Sequence, residues 1–307
     1  MKRAIVTGAA GFIGSKLVQR LLDDGVDVVG IDNERSGDWS RVNPSCERIN
    51  ADLGDMTVDD FAQVCAGSDG IFHLAAEKYN SSKSTPEKVL NVNILGMHRL
   101  LEGAAKVGNP KVVFTSSLYA YGSMGPLPMA EDDVLTPPTM YGLSKVAGEN
   151  LLRVAQRDHN QRWAVARLFF VYGPDQYAEG GYKSVIQSNF ERLARGEQPT
   201  INGDGEQSLD YIFIDDVVKA LLQLHQNEND GALVNIGNGA AITINALTDL
   251  MQETAGSKLE PKFIPADWTH RSSRVGDNTH CRRTFAWEPE TSLHDGLRQF
   301  WEWKISQ

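Results

Sequence analysis

Short apolar runs alternate with amphipathic segments along the first half of the chain. The apolar runs predict buried β-strands at residues 4–8, 26–32, 70–76, 111–117 and 163–173. The amphipathic segments predict helices at residues 12–24, 58–66, 86–107 and 141–158. Strands that alternate with helices are typical of βαβ units, so we expect a parallel sheet that is covered by helices on both faces. Such a sheet binds ligands at the carboxyl ends of its strands.

The pattern changes in the second half of the chain. A loop rich in glycine and tyrosine covers residues 172–184, and a helical segment follows at 184–195. Residues 201–214 predict a turn and a strand, and residues 215–228 predict a helix that begins at two aspartates. The tail, 285–306, ends in an amphipathic helix. This half has no internal repeat and no linker, so we expect it to form a smaller lobe on the first.

Composition and charge exclude several functional classes. The 307 residues are enough for one large domain or two modest ones, and 41% of them are hydrophobic. The net charge of −10 argues against nucleic acid as a partner. There is no run of about 20 apolar residues, so we expect no membrane span. Glycines interrupt the apolar residues near the start, so we also expect no signal peptide.

The cysteines indicate a reducing environment. Cys46, Cys65 and Cys281 are far apart in the chain, and an odd number of cysteines is unsuited to a disulfide framework. No pair of them has the spacing of metal ligands, so we expect no metal site. The expected localisation is cytoplasmic.

A glycine-rich loop joins the first predicted strand to the first predicted helix. Its sequence, TGAAGFIG, places Gly8, Gly11 and Gly14 where a tight turn and a close approach to a pyrophosphate need residues without a Cβ. The N-terminus of the helix offers free N–H groups to the phosphate oxygens. Asp32 ends the second strand, 18 residues after Gly14. A carboxylate at this place binds the adenosine ribose and repels a 2′-phosphate. The pattern favours NAD as the cofactor, although the nearby Arg35 leaves NADP open.

These features together predict an α/β fold. We expect a Rossmann-type, doubly wound parallel sheet over residues 1–170, with part of 208–240 returning to it. Residues 171–307 are then mainly the smaller C-terminal lobe, which we expect to bind the substrate.

Tyr141 and Lys145, in the sequence YGLSK, suggest a catalytic base. Residues four apart lie on one face of a helix, so the phenol and the ammonium should point the same way. A neighbouring cation favours the phenolate and lowers the pKa of tyrosine. Alone, the pair also fits a surface tyrosine with a lysine neighbour.

Six motifs give the chain a resemblance to a known family. It resembles the extended short-chain dehydrogenases/reductases and, within them, the NAD-dependent nucleotide-sugar epimerase/dehydratase family. The likeness to UDP-sugar 4-epimerases covers essentially the whole chain, and the tail is also similar to that of GDP-mannose 3,5-epimerases. The motifs are TGAAGFIG, FHLAA, FTSSLYAYG, YGLSK, YIFIDDV and DNTHCRRTFAWEP.

The resemblance implies roles for the residues of these motifs. Tyr141 is the implied acid/base, Lys145 its partner on the nicotinamide ribose, and Ser117 the group that hydrogen-bonds the sugar hydroxyl. Lys78 corresponds to a lysine near the cofactor in some 4-epimerases, although it also fits a solvated loop charge. Asn93 corresponds to a structural asparagine. The cofactor-binding residues implied in this way are Gly8, Gly11, Phe12, Ile13, Gly14, Asp32, Asn33, Asp52, Leu53, Leu74, Ala75, Ala76, Lys78, Asn93, Tyr141 and Lys145.

The substrate side departs from the family pattern at two positions. Phe170 replaces an asparagine that contacts the substrate in many members, and Leu209 replaces an arginine that binds the diphosphate. Diphosphate binding is then assigned to other cations, of which Arg271 and Arg274 form the best pair. The implied substrate-binding residues are Ser117, Phe170, Lys183, Arg192, Arg271 and Arg274.

The residues after Ser117 indicate the reaction. A 4,6-dehydratase of this family needs an acid/base pair there, and this chain has Leu118 and Tyr119. The site is sufficient for an NAD-dependent nucleotide-sugar 4-epimerase acting through a transient 4-keto sugar. The pKa of Tyr141 must then fall from about 10 to about 7, which needs roughly 4 kcal/mol from Lys145 and the positively charged nicotinamide. A 4-keto-sugar reductase and a 3,5-epimerase remain alternatives, and a 4,6-dehydratase or a non-catalytic dinucleotide-binding protein is less favoured. The resemblance also implies a homodimer.

Overall fold

The computed structural model describes residues 1–122, 126–176, 183–267 and 269–307. The chain divides into two compact units, and each is built from three segments. The first unit contains Met1–Ser123, Val134–Leu168 and Val218–Val234. The second unit contains Met124–Asp133, Phe169–Val217 and Asn235–Gln307.

The first unit is organised around a seven-stranded sheet. The strand order is β10-β6-β5-β4-β1-β2-β3, and the six strands from β6 to β3 pair in parallel. Chain order reverses between β1 and β4, which makes the crevice at their carboxyl ends the expected ligand site. This confirms the predicted Rossmann-type fold. The strands are β1 Arg3–Thr7, β2 Asp27–Asp32, β3 Glu47–Asn50, β4 Gly70–His73, β5 Lys111–Ser117, β6 Trp163–Leu168 and β10 Ala232–Ile236.

Helices connect the strands of this sheet, and the longer ones bury an apolar face. They are α1 Phe12–Asp23, α2 Val58–Cys65, α3 Ser81–Ser84, α4 Pro86–Val89, a π-helix Leu90–Gly96, α5 Met97–Ala105, α6 Met140–His159 and α8 Ile214–Gln226. Short 3₁₀ turns lie at Trp39–Arg41 and Leu118–Ala120. The side chain of Thr139 begins α6 by accepting a hydrogen bond from the N–H of Gly142, and Asn160 ends it in the left-handed conformation. The segment 86–107, which was predicted as one helix, consists of α4, the π-helix and α5 in succession.

The strand predicted over 163–173 is wrong as one element. It is β6 in the large sheet, followed after Phe169 by β7, Phe170–Tyr172, which pairs with β9, Ser208–Phe213. The backbone N–H of Phe169 donates to the carbonyl of Ile236 at 3.0 Å, so the chain changes sheet at this residue. Both strands are apolar, and an apolar run does not reveal where a chain leaves one sheet for another.

The second unit combines short strands with four helices in its described residues. Strand β9 lies between β11 and β13, and β12 pairs with β8. Helices α9 and α10 were not predicted, whereas α7 matches its predicted segment within a few residues and α11 lies in the predicted tail. The elements are β8 Thr200–Asn202, β11 Ala241–Thr243, β12 Lys262–Ile264, β13 Ser273–Arg274, α7 Val185–Ala194, α9 Ile244–Ala255, α10 Thr279–Phe285 and α11 Leu293–Ile305. Phe190 of α7 stacks on Phe300 of α11 with 5.6 Å between ring centroids.

Candidate active site

The glycine loop forms a cradle between β1 and α1. Gly8 has a φ of +73°, and its N–H donates to the carbonyl of Ile31 at 2.8 Å. A Cβ on Gly8 would lie 2.8 Å from the backbone nitrogen of Ala75, and one on Gly14 would lie 2.0 Å from the carbonyl oxygen of Gly8. Within the described residues, no side chain caps the N-terminus of α1 at Gly11. The free N–H groups at Phe12 and Ile13 therefore fit a pyrophosphate.

Asp32 is fixed at the carboxyl end of β2. Its two carboxylate oxygens accept hydrogen bonds from the N–H groups of Ala10 at 3.0 Å and Glu34 at 2.8 Å. Burial raises the pKa of Asp32, and these hydrogen bonds act in the opposite direction. The carboxylate is thus held between the glycine loop and the segment after β2, where an adenosine ribose is bound in this fold.

Asn33 and Asp52 meet beside this carboxylate. The amide of Asn33 donates to Asp52 at 2.9 Å, and Asp52 accepts the N–H of Gly54 at 2.9 Å. Leu53, the next residue along the chain, is buried. These three residues form the wall on which an adenine could lie, as the resemblance implies.

The opposite wall follows β4. The N–H groups of Leu74 and Ala75 donate to the carbonyl and the hydroxyl of Thr7, each at 3.2 Å. Thr7 also hydrogen-bonds the buried ring of His73 at 2.8 Å between Oγ1 and Nδ1. Burial, together with the charge of Lys145, lowers the pKa of His73 to about 3, so this ring is neutral.

Asn93 anchors the segment that follows Ala76. Its side chain accepts the N–H of Glu77 at 2.8 Å and donates to the carbonyl of Glu77 at 3.0 Å. It also donates to the hydroxyl of Ser144 in α6 at 2.9 Å. Asn93 lies in the π-helix, a distortion that often occurs at functional sites. These contacts give Asn93 a structural part in the site, and Lys78 lies nearby with its charge facing Asp32 and Glu77.

Ser117, Tyr141 and Lys145 come together at the end of β5 and the start of α6. A hydrogen bond joins the side chains of Ser117 and Tyr141. The Nζ of Lys145 lies 5.5 Å from the centroid of the Tyr141 ring and donates to the carbonyl of Thr115 at 2.8 Å. The tyrosine and the lysine therefore do lie on one face of α6, next to the serine.

The electrostatics of the pair differ from the expectation for the tyrosine. Burial raises the pKa of Tyr141 to about 12, although the hydrogen bond with Ser117 lowers it. Burial lowers the pKa of Lys145 to about 7, and the charge of Glu149 opposes this. The protein's own groups therefore do not produce the expected low pKa of Tyr141. A further positive charge at the site favours the phenolate, and NAD carries one on its nicotinamide.

A buried ion pair behind Lys145 was missed in the sequence. Glu149 is fully buried one turn after Lys145, and Arg167 of β6 donates to its two oxygens at 2.9 and 2.7 Å. The hydroxyl of Ser116 donates to Glu149 at 2.5 Å. The guanidinium also lies 4.7 Å from the centroid of the Tyr121 ring. The signal that could have revealed Glu149 is its spacing, four residues beyond Lys145.

Tyr119 connects the catalytic groups to a second aromatic ring. Its N–H donates to the hydroxyl oxygen of Ser117 at 3.3 Å, and its ring meets that of Tyr141 edge to face, with 5.7 Å between centroids. It also packs on Tyr79 at 5.3 Å. The position where a dehydratase would need a carboxyl group is thus occupied by aromatic packing.

The residues expected to bind substrate in the second unit have different surroundings. Phe170 packs on Tyr211, with 5.7 Å between ring centroids. Arg274 is buried and pairs in register with Leu209, whereas Arg271 is exposed at a φ of +58°.

The other two cations lie in surface ion pairs. Lys183 contacts Glu191 at 2.6 Å, and Arg192 lies 3.8 Å from Glu197.

Metal and membrane sites are not found in the described part of the chain. No group of three or more His, Cys, Asp or Glu residues there could hold a metal ion. Over the same residues, no helix has both the length and the apolar character needed to cross a membrane.

Known proteins with similar sequences carry the names of UDP-sugar epimerases and decarboxylases. Residues 4–237 match the NAD dependent epimerase/dehydratase family. The UDP-glucose 4-epimerase of Mycolicibacterium smegmatis is 34% identical over 310 residues, which cover 96% of each chain. UDP-glucuronic acid decarboxylase 4 of Arabidopsis thaliana is 30% identical over 307 residues, covering 96% of this chain and 67% of the plant protein.

Solved structures give the same result. The UDP-glucose 4-epimerase of Thermotoga maritima, determined with UDP-glucose, superposes with a TM-score of 0.94 at 32% identity over 99% of both chains. The UDP-glucuronic acid 4-epimerase of Bacillus cereus, in complex with UDP-glucuronic acid and NAD, superposes with a TM-score of 0.89 at 25% identity over 99% of both chains.

Proposed function

Because the chain belongs to the NAD-dependent epimerase/dehydratase family, we propose that it is a UDP-sugar 4-epimerase, an isomerase that inverts C4 of the hexose. The observation that carries this proposal is the grouping of Ser117, Tyr141 and Lys145 beside a glycine cradle suited to NAD. The epimerases named above, from Mycolicibacterium smegmatis and Thermotoga maritima, support uracil as the base and glucose as the first sugar to test.

The cofactor and the protein divide the chemistry. Bound NAD supplies the acceptor and the donor of the hydride at C4 of the sugar. Tyr141 holds and moves the proton of the C4 hydroxyl, and Ser117 positions that hydroxyl through a hydrogen bond. Lys145 contributes a buried cation next to the phenol, so it stabilises the phenolate when Tyr141 is the base. Inversion then requires that the 4-keto sugar present its other face before Tyr141 returns the proton to the C4 oxygen.

The neighbourhood of Tyr141 favours epimerisation over 4,6-elimination. Leu118 is buried, and Tyr119 packs against Tyr79 and Tyr141. Neither side chain can act as a carboxyl group at C5 or C6 of the sugar. The decarboxylase relatives make loss of CO₂ from UDP-glucuronic acid the second candidate reaction, and the same experiment tests it.

Arg274 is the proposed ligand of the diphosphate, with Arg271 as its partner. Leu209 replaces the family arginine, and buried Arg274 lies directly beside it in the neighbouring strand. The guanidinium of Arg274 lies on the strand next to the position of the missing arginine, so it can supply the same positive charge to the diphosphate. Phe170, on the other strand that pairs with β9, then offers an apolar surface to the substrate.

The chain is also proposed to form a homodimer through the helices around α6. Leu143 and Val154 are each 44% exposed and lie three turns apart, which puts them on one face of α6. The adjacent π-helix exposes Leu90 and Leu95. Exposed leucines of this kind mark interaction surfaces. The double variant Leu143→Glu/Val154→Glu should sediment as a monomer. A dimeric variant would contradict this interface.

A cytoplasmic setting is proposed on the state of the cysteines. All three, Cys46, Cys65 and Cys281, are free and buried. This fits a reducing compartment.

The proposed reaction is tested by incubating the protein with UDP-glucose in heavy water without added cofactor. NMR should show UDP-galactose, with no deuterium at C3 or C5 of the sugar. UDP-glucuronic acid is assayed in parallel. A 6-deoxy-4-keto product, deuterium at C3 or C5, or release of CO₂ from UDP-glucuronic acid would contradict the proposal. Dependence on stoichiometric NADH would favour a 4-keto-sugar reductase.

A further inference from the structure

Arg35 is the cation of the loop that follows β2, three residues after Asp32. In Rossmann-type folds, an arginine at this place accommodates the 2′-phosphate of NADP, whereas the acid at the strand end binds the 2′-hydroxyl of NAD. This chain carries both residues, so the sequence alone leaves its preference open. In the structure, Nη1 of Arg35 lies 2.5 Å from Oε1 of Glu77, so the guanidinium is already in an ion pair.

Glu77 is held rigidly at the other side of the cofactor cradle. Its side chain is only 8% exposed, and its second oxygen accepts the hydroxyl of Ser81 at 2.7 Å. Its backbone N–H and carbonyl are both bonded to Asn93, which is itself bonded to Ser144. Arg35 is 42% exposed and has the freer side chain of the two. The geometry therefore fixes the carboxylate and lets it determine where the guanidinium goes.

The charges around Asp32 add to this effect. Asp32, Glu34 and Glu77 provide three carboxylates, against the two cations Arg35 and Lys78. Lys78 faces Asp32 and Glu77. With Arg35 counted, these groups give the surroundings of the ribose site a net negative charge. This charge disfavours the 2′-phosphate dianion that NADP carries in addition.

We propose that Glu77 is a cofactor-selectivity residue that keeps Arg35 from binding a 2′-phosphate and so makes the site specific for NAD. Asp32 excludes the 2′-phosphate by direct repulsion. Glu77 excludes it by holding Arg35, the only arginine of the loop 33–38, in an ion pair. The inference rests on the dinucleotide cradle and is independent of the proposed reaction at the sugar. Binding measurements without a sugar therefore test it even if the epimerase assignment fails.

The test measures dissociation constants of NAD and NADP by calorimetry on protein freed of nucleotide. Glu77→Gln keeps the shape and the hydrogen bond with Ser81 but releases Arg35. It should bind NADP about tenfold more tightly than the unaltered protein does, equivalent to about 1.4 kcal/mol, with NAD affinity within about twofold. Asp24→Asn is the matched control, because it removes the carboxylate partner of exposed Arg20 away from the site. It should change neither constant.

Arg35→Met and the double variant Glu77→Gln/Arg35→Met separate the role of Arg35 from a loss of negative charge. Arg35→Met alone should leave NADP affinity within about twofold, and the double variant should lose the tenfold gain. A gain that persists in the double variant would overturn the proposal, and so would an unchanged NADP affinity in Glu77→Gln. If Glu77→Gln melts below the temperature of the assay, Glu77→Asp replaces it, since the shorter acid withdraws from Arg35. No gain in Glu77→Asp would then count equally against the proposal.

Discussion

Glu149→Gln removes one charge from the buried ion pair behind Lys145 while keeping the volume of the side chain. Glu149 and Arg167 are 0% and 2% exposed, and two hydrogen bonds join them. After the change, the guanidinium of Arg167 stays buried without its counter-charge. Breaking a pair of this kind costs about 3–5 kcal/mol of the free energy of unfolding. In a chain of this size, we expect the melting temperature to fall by roughly 5–8 °C.

The functional consequence follows from the position of Glu149 relative to Lys145. The charge of Glu149 raises the pKa of Lys145, which burial otherwise lowers to about 7. In Glu149→Gln that pKa falls further, so less of Lys145 is charged at neutral pH. Other charged or titratable groups around it are Tyr141 on its own helix, His73 of β4, and Arg167 of β6. The alkaline limb of kcat should therefore move to lower pH.

Melting curves by circular dichroism and kcat against pH on folded protein measure the two effects. Asp24→Asn is again the control, because the Arg20–Asp24 pair is exposed and exposed pairs contribute little. Its melting temperature should stay within about 2 °C. The double variant Glu149→Leu/Arg167→Met should recover most of the lost stability, since it removes both charges. A Glu149→Gln protein that melts like the control, with an unshifted pH profile, would refute the reasoning.

Three further predictions concern the catalytic groups. Tyr141→Phe should lower kcat at least about 100-fold with NAD affinity nearly unchanged, measured by steady-state kinetics and calorimetry; near-normal turnover would exclude Tyr141 as the base. Ser117→Ala removes a hydrogen bond that lowers the pKa of Tyr141, so kcat should fall about tenfold and its rise with pH should move to higher pH; an unshifted profile would contradict this. Lys145 has a pKa of about 7 in the folded protein, which is below its value in an unfolded chain. Between pH 7 and 9 the unfolded chain therefore binds more protons than the folded protein, so the free energy of unfolding rises with pH. Lys145→Met in nucleotide-free protein should remove about 2 kcal/mol of that rise in urea unfolding, and parallel pH dependence of the two proteins would show that Lys145 keeps its ordinary pKa.

Local patterns in the sequence predict much of the first unit. The strands before α1 and α6 are continuous apolar runs, and the glycines between β1 and α1 meet a steric requirement that Gly8 and Gly14 satisfy in the structure. The acid at the end of β2 and the Tyr141–Lys145 spacing follow equally from local rules. These features depend on residues close together in the chain, so one sequence is enough to reveal them.

The features that the sequence did not reveal depend on distant contacts. Glu149 and Arg167 are 18 residues apart, on a helix and a strand, and neither neighbourhood shows that both side chains point into one buried space. The ion pair of Arg35 with Glu77 spans 42 residues, and it changes the meaning of an arginine that the sequence left available to NADP. Burial also reverses the expected pKa shift of Tyr141, since the spacing of YGLSK gives the charge of Lys145 and says nothing about desolvation.

The fate of the hydrogen on C4 tests the central claim most directly. UDP-glucose that carries deuterium at C4 is incubated with the protein in ordinary water, without added cofactor, and the product is examined by NMR and mass spectrometry. The account predicts UDP-galactose that keeps the deuterium at C4, because the hydrogen returns to the carbon that it left. Product that carries hydrogen at C4, or recovery of unchanged UDP-glucose only, would contradict the assignment of this chain as a UDP-glucose 4-epimerase.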